Sequence, residues 1–176
     1  VDALVSSPPF VAKPPPRWKD AQTHAPGFVS SMHRVRSNQH LLVDSEVIDV
    51  GFISEAQEGA AAAEKLRLAD CDLIVGFLTT YMTASMLVPV AQRSGAPVLL
   101  LNLQPTESMD HATFDTGAWL AYCGACPLPE MANAFERCGI DFRSVSGYLE
   151  DERAWARIDR WIRVAGVRAA FRHGRH

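Results

Sequence analysis

The stretch Asp72-Leu-Ile-Val-Gly-Phe-Leu-Thr-Thr-Tyr81, then Met82 to Arg93, then Ser94-Gly-Ala-Pro-Val-Leu-Leu-Leu-Asn-Leu-Gln-Pro105, decides the fold. It reads as strand, helix, strand. Leu73 to Leu78 is an unbroken apolar run, as a strand buried on both faces of a parallel sheet requires. Val98 to Leu103 is a second run, interrupted only by Asn102. Between them Met82, Leu87, Val90 and Ala91 recur at helical spacing, and Ser94-Gly95, followed by Pro97, stops the helix. A crossover of this length joins parallel strands, and its hand is right. Ligands of such sheets bind beyond the carboxyl ends of the strands. Those ends are Thr79-Thr80-Tyr81 and Gln104-Pro105, which makes them the first place to look for function.

Working outward, Glu46 to Gly51 reads as a strand with Gly51 turning out of it. Ser54 is an N-cap candidate with Gln57 in capping-box spacing, and a helix follows from Glu55 to Ala69. The β-α-β-α-β series predicts an α/β fold: a doubly wound, mainly parallel open sheet with helices on both faces, Rossmann-like and incomplete. Residues 1–40 form an irregular, Pro-rich N-terminal segment broken by Pro8-Pro9 and Pro14-Pro15-Pro16, with Ala3-Leu4-Val5 as a candidate short strand. Residues 41–176 form the α/β domain. Downstream, Thr106 to Thr116 is a polar connection, and Gly117 to Tyr122 is a short helix expected to pack Trp119 and Leu120. A helix from Pro129 to Cys138 turns Met131, Ala134 and Phe135 to one side, and Gly139 ends it. Phe142, Val145 and Tyr148 belong to an extended or turning segment. The last helix, Glu150 to Phe171, carries Trp155, Ile158, Trp161, Ile162 and Ala165 on one stripe.

At 176 residues the chain suits one domain, and its net charge of -3 gives no electrostatic case for nucleic acid or an anionic membrane. No apolar run reaches the length of a membrane span, and the start lacks the basic-then-apolar order of a signal peptide. Four cysteines in a chain of this size do not make a disulfide scaffold, so the expected compartment is reducing and cytoplasmic.

Thr79-Thr80-Tyr81 offers two hydroxyls and a phenol, groups that suit a polyol because they both donate and accept. The simpler account is that Thr80 or Thr83 caps the next helix. Cys123 and Cys126 form a Cys-x-x-Cys that fits ordinary loop geometry or ligand lining, a redox pair, or half a zinc site. Cys71 and Cys138 form no second close pair for zinc. His111, between Asp110 and Asp115, suits a general base or metal ligand, although a solvated loop histidine is commoner. Glu130 can accept a hydrogen bond from a ligand, but stabilising a helix N-terminus is the simpler role. No Gly-x-Gly-x-x-Gly follows a strand and no phosphate loop is present, which disfavours nucleotide binding.

Asp72 to Tyr81, the Asn-Leu-Gln-Pro at 102–105, the loop Tyr-Cys-Gly-Ala-Cys-Pro-Leu-Pro-Glu at 122–130 and the closing tryptophan-bearing helix together resemble the N-terminal part of L-arabinose isomerase and L-fucose isomerase-like sugar isomerases. The resemblance covers about Glu46 to His176. It implies a metal-dependent ketol-isomerase of carbohydrate metabolism that interconverts an aldose and a ketose through an enediol. It also implies a divalent ion, usually Mn2+, held by domains beyond this sequence, a monosaccharide substrate and a homo-oligomer. No catalytic or metal-binding residue is carried onto this chain. Thr79, Thr80, Tyr81, Gln104, Cys123 and Glu130 are expected to face the sugar or a neighbouring subunit. Arabinose isomerases have a histidine in the loop where this chain has Cys123 to Cys126, and residues 1–40 do not match the family's opening strand. The fragment alone is expected to be inactive. The alternative is a stand-alone α/β module that binds a sugar or a partner without catalysis.

Overall fold

In the computed structural model the described residues are 2–7, 47–53 and 56–174. Five strands form one parallel sheet: β1 (Asp2–Ser7), β2 (Val47–Phe52), β3 (Leu73–Leu78), β4 (Val98–Gln104) and β5 (Phe142–Tyr148), in the order β2-β1-β3-β4-β5. The helices are α1 (Ala56–Leu68), α2 (Ala84–Ser94), α3 (Thr116–Tyr122), α4 (Pro127–Cys138) and α5 (Glu152–His173), with a single 3-10 turn at Cys123–Ala125. Ala3-Leu4-Val5 lies in β1, which pairs with both β2 and β3. The predicted Ser54 cap lies outside the described residues.

Strand alternation sorts the core into two layers. Ile74, Leu78, Val98 and Leu100 turn to one face, where Ala63 and Leu66 of α1, Leu87 and Val90 of α2, and Met131 and Phe135 of α4 close over them. Leu73, Val75, Phe77, Leu99, Leu101 and Val145 turn to the other face, against Ala154, Ile158, Ile162 and Ala165 of α5. All six residues of β3 are buried, which is why its sequence shows no alternation. Trp155 and Trp161 pack against the second layer, so the stripe of α5 is covered by the chain's own sheet.

Several boundaries differ from the sequence reading. Gly51 does not end its strand. It sits at φ 77° at a register irregularity between Leu4 and Ser6 of β1, and β2 continues to Phe52. Trp119 is half exposed while Leu120 is buried, so α3 packs through one of the two residues only. The helix α4 starts at Pro127 rather than Pro129, and α5 starts at Glu152, capped by Asp151 Oδ1, which accepts from Arg153 N and Ala154 N. Phe142 to Tyr148 is a full strand, in register with β4 from Val98↔Phe142 to Gln104↔Tyr148.

Gly166 lies exposed in the middle of α5, and a Cβ there meets nothing within 4 Å. Gly166→Ala is expected to stabilise the protein by about 0.5–1 kcal/mol, because glycine loses the most backbone entropy on entering a helix. Thermal unfolding checks this, and the melting temperature should rise.

Candidate functional site

The carboxyl ends of β3, β4 and β5 form one polar edge. Thr79 and Thr80 leave β3 buried, and Tyr81 follows with its ring partly exposed. Thr80 Oγ1 is a buried oxygen without a hydrogen-bond partner among the described residues. Such an atom costs stability unless something fills its valence. Neither Thr80 nor Thr83 caps α2 through its hydroxyl. Thr83 holds the N-cap position, but its side chain makes no capping bond. Thr83 Oγ1 instead pairs with Ser85 Oγ at 2.7 Å.

Capping of α2 comes from another helix. Glu130, in the first turn of α4, accepts from Ala84 N through Oε1 at 2.9 Å. Its Oε2 lies 3.5 Å from the Tyr81 hydroxyl. One carboxylate thus satisfies an orphan N–H at the positive end of α2 and steadies the phenol beside it.

At the end of β4, Gln104 Nε2 donates to Asn102 Oδ1 at 2.7 Å. Asn102 Nδ2 donates to Ser146 Oγ of β5 at 3.3 Å. This ties together the residue that interrupts the apolar run of β4 and its two polar neighbours. Sequence reasoning misses Asn102 and Ser146. The one signal that could find them is the polar residue inside a strand whose neighbouring side chains are buried. Tyr122 adds a hydroxyl paired with Thr106 Oγ1. Tyr148 ends β5, and the Glu107 carboxylate, followed by burial, holds its phenol above the usual tyrosine range. The chain has three tyrosines, and all three stand at this edge.

The 3-10 turn Cys123–Ala125 crosses the end of β3. A Cβ added to Gly124 would lie 2.1 Å from Leu78 O and 3.6 Å from Asn102 Oδ1. The turn therefore rests on the β3 backbone, next to the Asn102 amide. Cys123 is buried, with its sulfur 3.7 Å from that of exposed Cys126. Burial first, then the contact with Cys126, pushes the Cys123 thiol from 9.0 up to about 12. Burial likewise pushes Cys71 up. Iodoacetamide near neutral pH is expected to label Cys126 and Cys138 well before Cys123 and Cys71, as peptide mass mapping would show. The folded Cys123 thiol holds its proton where the unfolded one gives it up. Stability under reducing conditions should therefore fall as pH rises from 9.0 towards about 12, with less fall in Cys123→Ser.

His111 is exposed, with its ring centroid 6.3 Å from that of Phe114. Beside it Asp110 caps its own turn by accepting from Ala112 N and Thr113 Oγ1, which holds its carboxyl below the usual range. Asp115 Oδ1 caps α3 by accepting from Ala118 N. Among the described residues no three His, Cys, Asp or Glu side chains come together in a group that could hold a metal ion. Also among them, no helix is long and apolar enough to cross a membrane.

At the opposite, amino-terminal edge, a groove between β4, β5 and α5 is lined by Pro97, Phe142, Trp161 and Arg168. The Arg143 guanidinium stacks there 5.5 Å from the Trp161 ring centre. It lies away from the hydroxyl-rich edge. The chain matches no protein-family model and no curated protein.

Proposed function

We propose that this chain is the N-terminal α/β portion of a metal-dependent aldose–ketose isomerase of the arabinose and fucose type, and that its hydroxyl-rich edge contacts the sugar. The observation that carries the reading is the company of groups that reach solvent at one sheet edge: Tyr81, Gln104, Tyr122 and Tyr148, with Glu130 bonded to Tyr81 and the buried Thr79 and Thr80 beneath them. Hydroxyls and an amide match a polyol's alternating donors and acceptors, and tyrosine rings give an apolar face with a polar tip.

The strand order supports a doubly wound, Rossmann-like assignment. β2 lies on one side of β1 and β3 to β5 lie on the other, so the chain reverses direction between β1 and β3. In such sheets the crevice outside that reversal is the ligand site. Thr79 to Tyr81 follow β3 directly. In this reading the chain orients the sugar, and a divalent ion, whose ligands would lie in further domains, would supply Lewis-acid chemistry at its carbonyl.

A second reading has support from one observation. Trp155 and Trp161 are covered within the chain, so the domain closes its own core as a stand-alone sugar-binding module would. The two readings part on turnover. The complete reading frame that contains this sequence, expressed and assayed by NMR, should convert a pentose or deoxyhexose aldose to its ketose. Chelator should stop the conversion and Mn2+ restore it. Saturable sugar binding by the complete product without conversion would overturn the isomerase reading in favour of the module.

A further inference from the structure

We propose that Cys123 and Cys126 form a thiol–disulfide exchange site that takes a low-molecular-weight disulfide of the glutathione type as its co-substrate. The proposal does not depend on the isomerase reading. Three features of the turn carry it.

The sulfurs are already 3.7 Å apart. Cys126 N donates to Cys123 O at 3.1 Å, so the two residues sit one tight turn apart, with their side chains on the same side. A covalent S–S bond of about 2.05 Å needs the two sulfurs to come together by less than about 2 Å. Next, the turn is held from below, because Gly124 rests against the Leu78 carbonyl and leaves no room for a Cβ. Finally, the two thiols are unlike. Cys126 is exposed at the N-cap position of α4, and Cys123 is buried behind it. The other two cysteines differ: Cys71 is buried, and Cys138 stands exposed at the far end of α4.

The chemistry runs in two displacements. The Cys126 thiolate attacks one sulfur of the small disulfide. That S–S bond breaks, one thiolate leaves, and a mixed disulfide forms on Cys126. Cys123 then loses its proton to solvent and attacks Cys126 Sγ, which expels the second thiolate and closes the Cys123–Cys126 bond. Two protein thiols are oxidised by two electrons, and one small disulfide is reduced to two thiols. Burial first, then the contact with Cys126, keeps the Cys123 thiol protonated while Cys126 reacts, and the mixed disulfide on Cys126 removes the second of these causes before Cys123 attacks.

The test is to incubate the chain with oxidised glutathione under argon, followed by intact mass and peptide mapping without reduction. The expected product maps to a Cys123–Cys126 bond, is lighter by two hydrogen atoms apart from any glutathione adduct on exposed Cys138, and reverts with dithiothreitol. Cys138→Ser should form the same internal bond with a clean loss of two hydrogen atoms, and Cys123→Ser should stop at a glutathione adduct on Cys126. A wild-type chain that stays unmodified, or that keeps a stable glutathione adduct on Cys126, would overturn the proposal. If Cys123→Ser does not fold, the map of the wild-type chain alone decides, because the internal bond is either present or absent.

Discussion

Gly124→Ala is expected to destabilise the protein by about 3 kcal/mol, at the upper end for overpacking a close-packed site. An added Cβ would sit 2.1 Å from Leu78 O, a backbone atom that cannot swing aside as a side-chain tip can. Either the turn lifts off the end of β3 or the strand retreats. Lifting the turn also separates Gly124 from the Asn102 amide and shifts the start of α4, which follows within three residues. The Glu130 carboxylate would then be drawn away from Ala84 N, which it now meets at 2.9 Å. A loss of about 3 kcal/mol corresponds to a melting temperature lower by roughly 6–12 °C for a domain of this size. An unchanged melting temperature would show that the turn does not rest on the strand. The contrast with Gly166→Ala isolates the cause, since both add one methyl group and only one of them meets a wall.

Arg172→Ala is expected to cost about 2 kcal/mol. Arg172, near the end of α5, reaches across 102 residues of sequence to Asp70. Its Nη2 lies 2.9 Å from Asp70 Oδ1, 3.2 Å from Asp70 O and 3.1 Å from Asp72 Oδ1. Asp72 is nearly buried at the foot of β3, while Arg172 is a third exposed. Breaking a fully buried ion pair from one side costs about 3–5 kcal/mol, and solvent access at the arginine end brings the expected loss below that range. Asp70 is the one non-glycine residue at positive φ among the described residues, at 49°. The arginine therefore also braces the turn that delivers the chain from α1 into β3. A melting temperature lower by roughly 4–8 °C is expected. Arg172→Lys should recover part of the loss, because a compact ammonium reaches fewer of the three oxygens.

The central part of the fold is legible because its signals are local. The apolar runs of β3 and β4 match the observed strands to within one residue, and Gly95 ends α2 where its sequence says it should. The β5 strand is harder to read because Arg143, Ser144, Ser146 and Gly147 dilute its apolar pattern. Its pairing with β4 along the full length, a contact invisible in its own composition, makes it a strand. Sequence reasoning starts α5 too early because Asp151, not a residue before it, supplies the cap.

The candidate site is legible by position and not by partnership. Strand ends point to Thr79, Thr80, Tyr81 and Gln104. The bond from Glu130 to Ala84 spans 46 residues, and that from Asn102 to Ser146 spans 44, so neither leaves a mark in local sequence. The sequence expectation puts Thr79, Thr80 and Cys123 towards the ligand, whereas the structure buries all three and presents Tyr81 and Cys126 beside them. The 3-10 turn puts the second thiol outward, and the spacing of a Cys-x-x-Cys does not say which of its members that will be.

The most direct measurement is a titration of the isotope-labelled chain with aldopentoses and deoxyhexoses, followed by backbone amide shifts. Saturable, local shifts are expected at Tyr81, Gln104, Cys126 to Glu130 and Tyr148, reduced in Tyr81→Phe, which removes the hydroxyl of the exposed phenol. Shifts confined to the groove at Phe142, Trp161 and Arg168, or no shifts with any of these sugars, would contradict the proposed sugar contact.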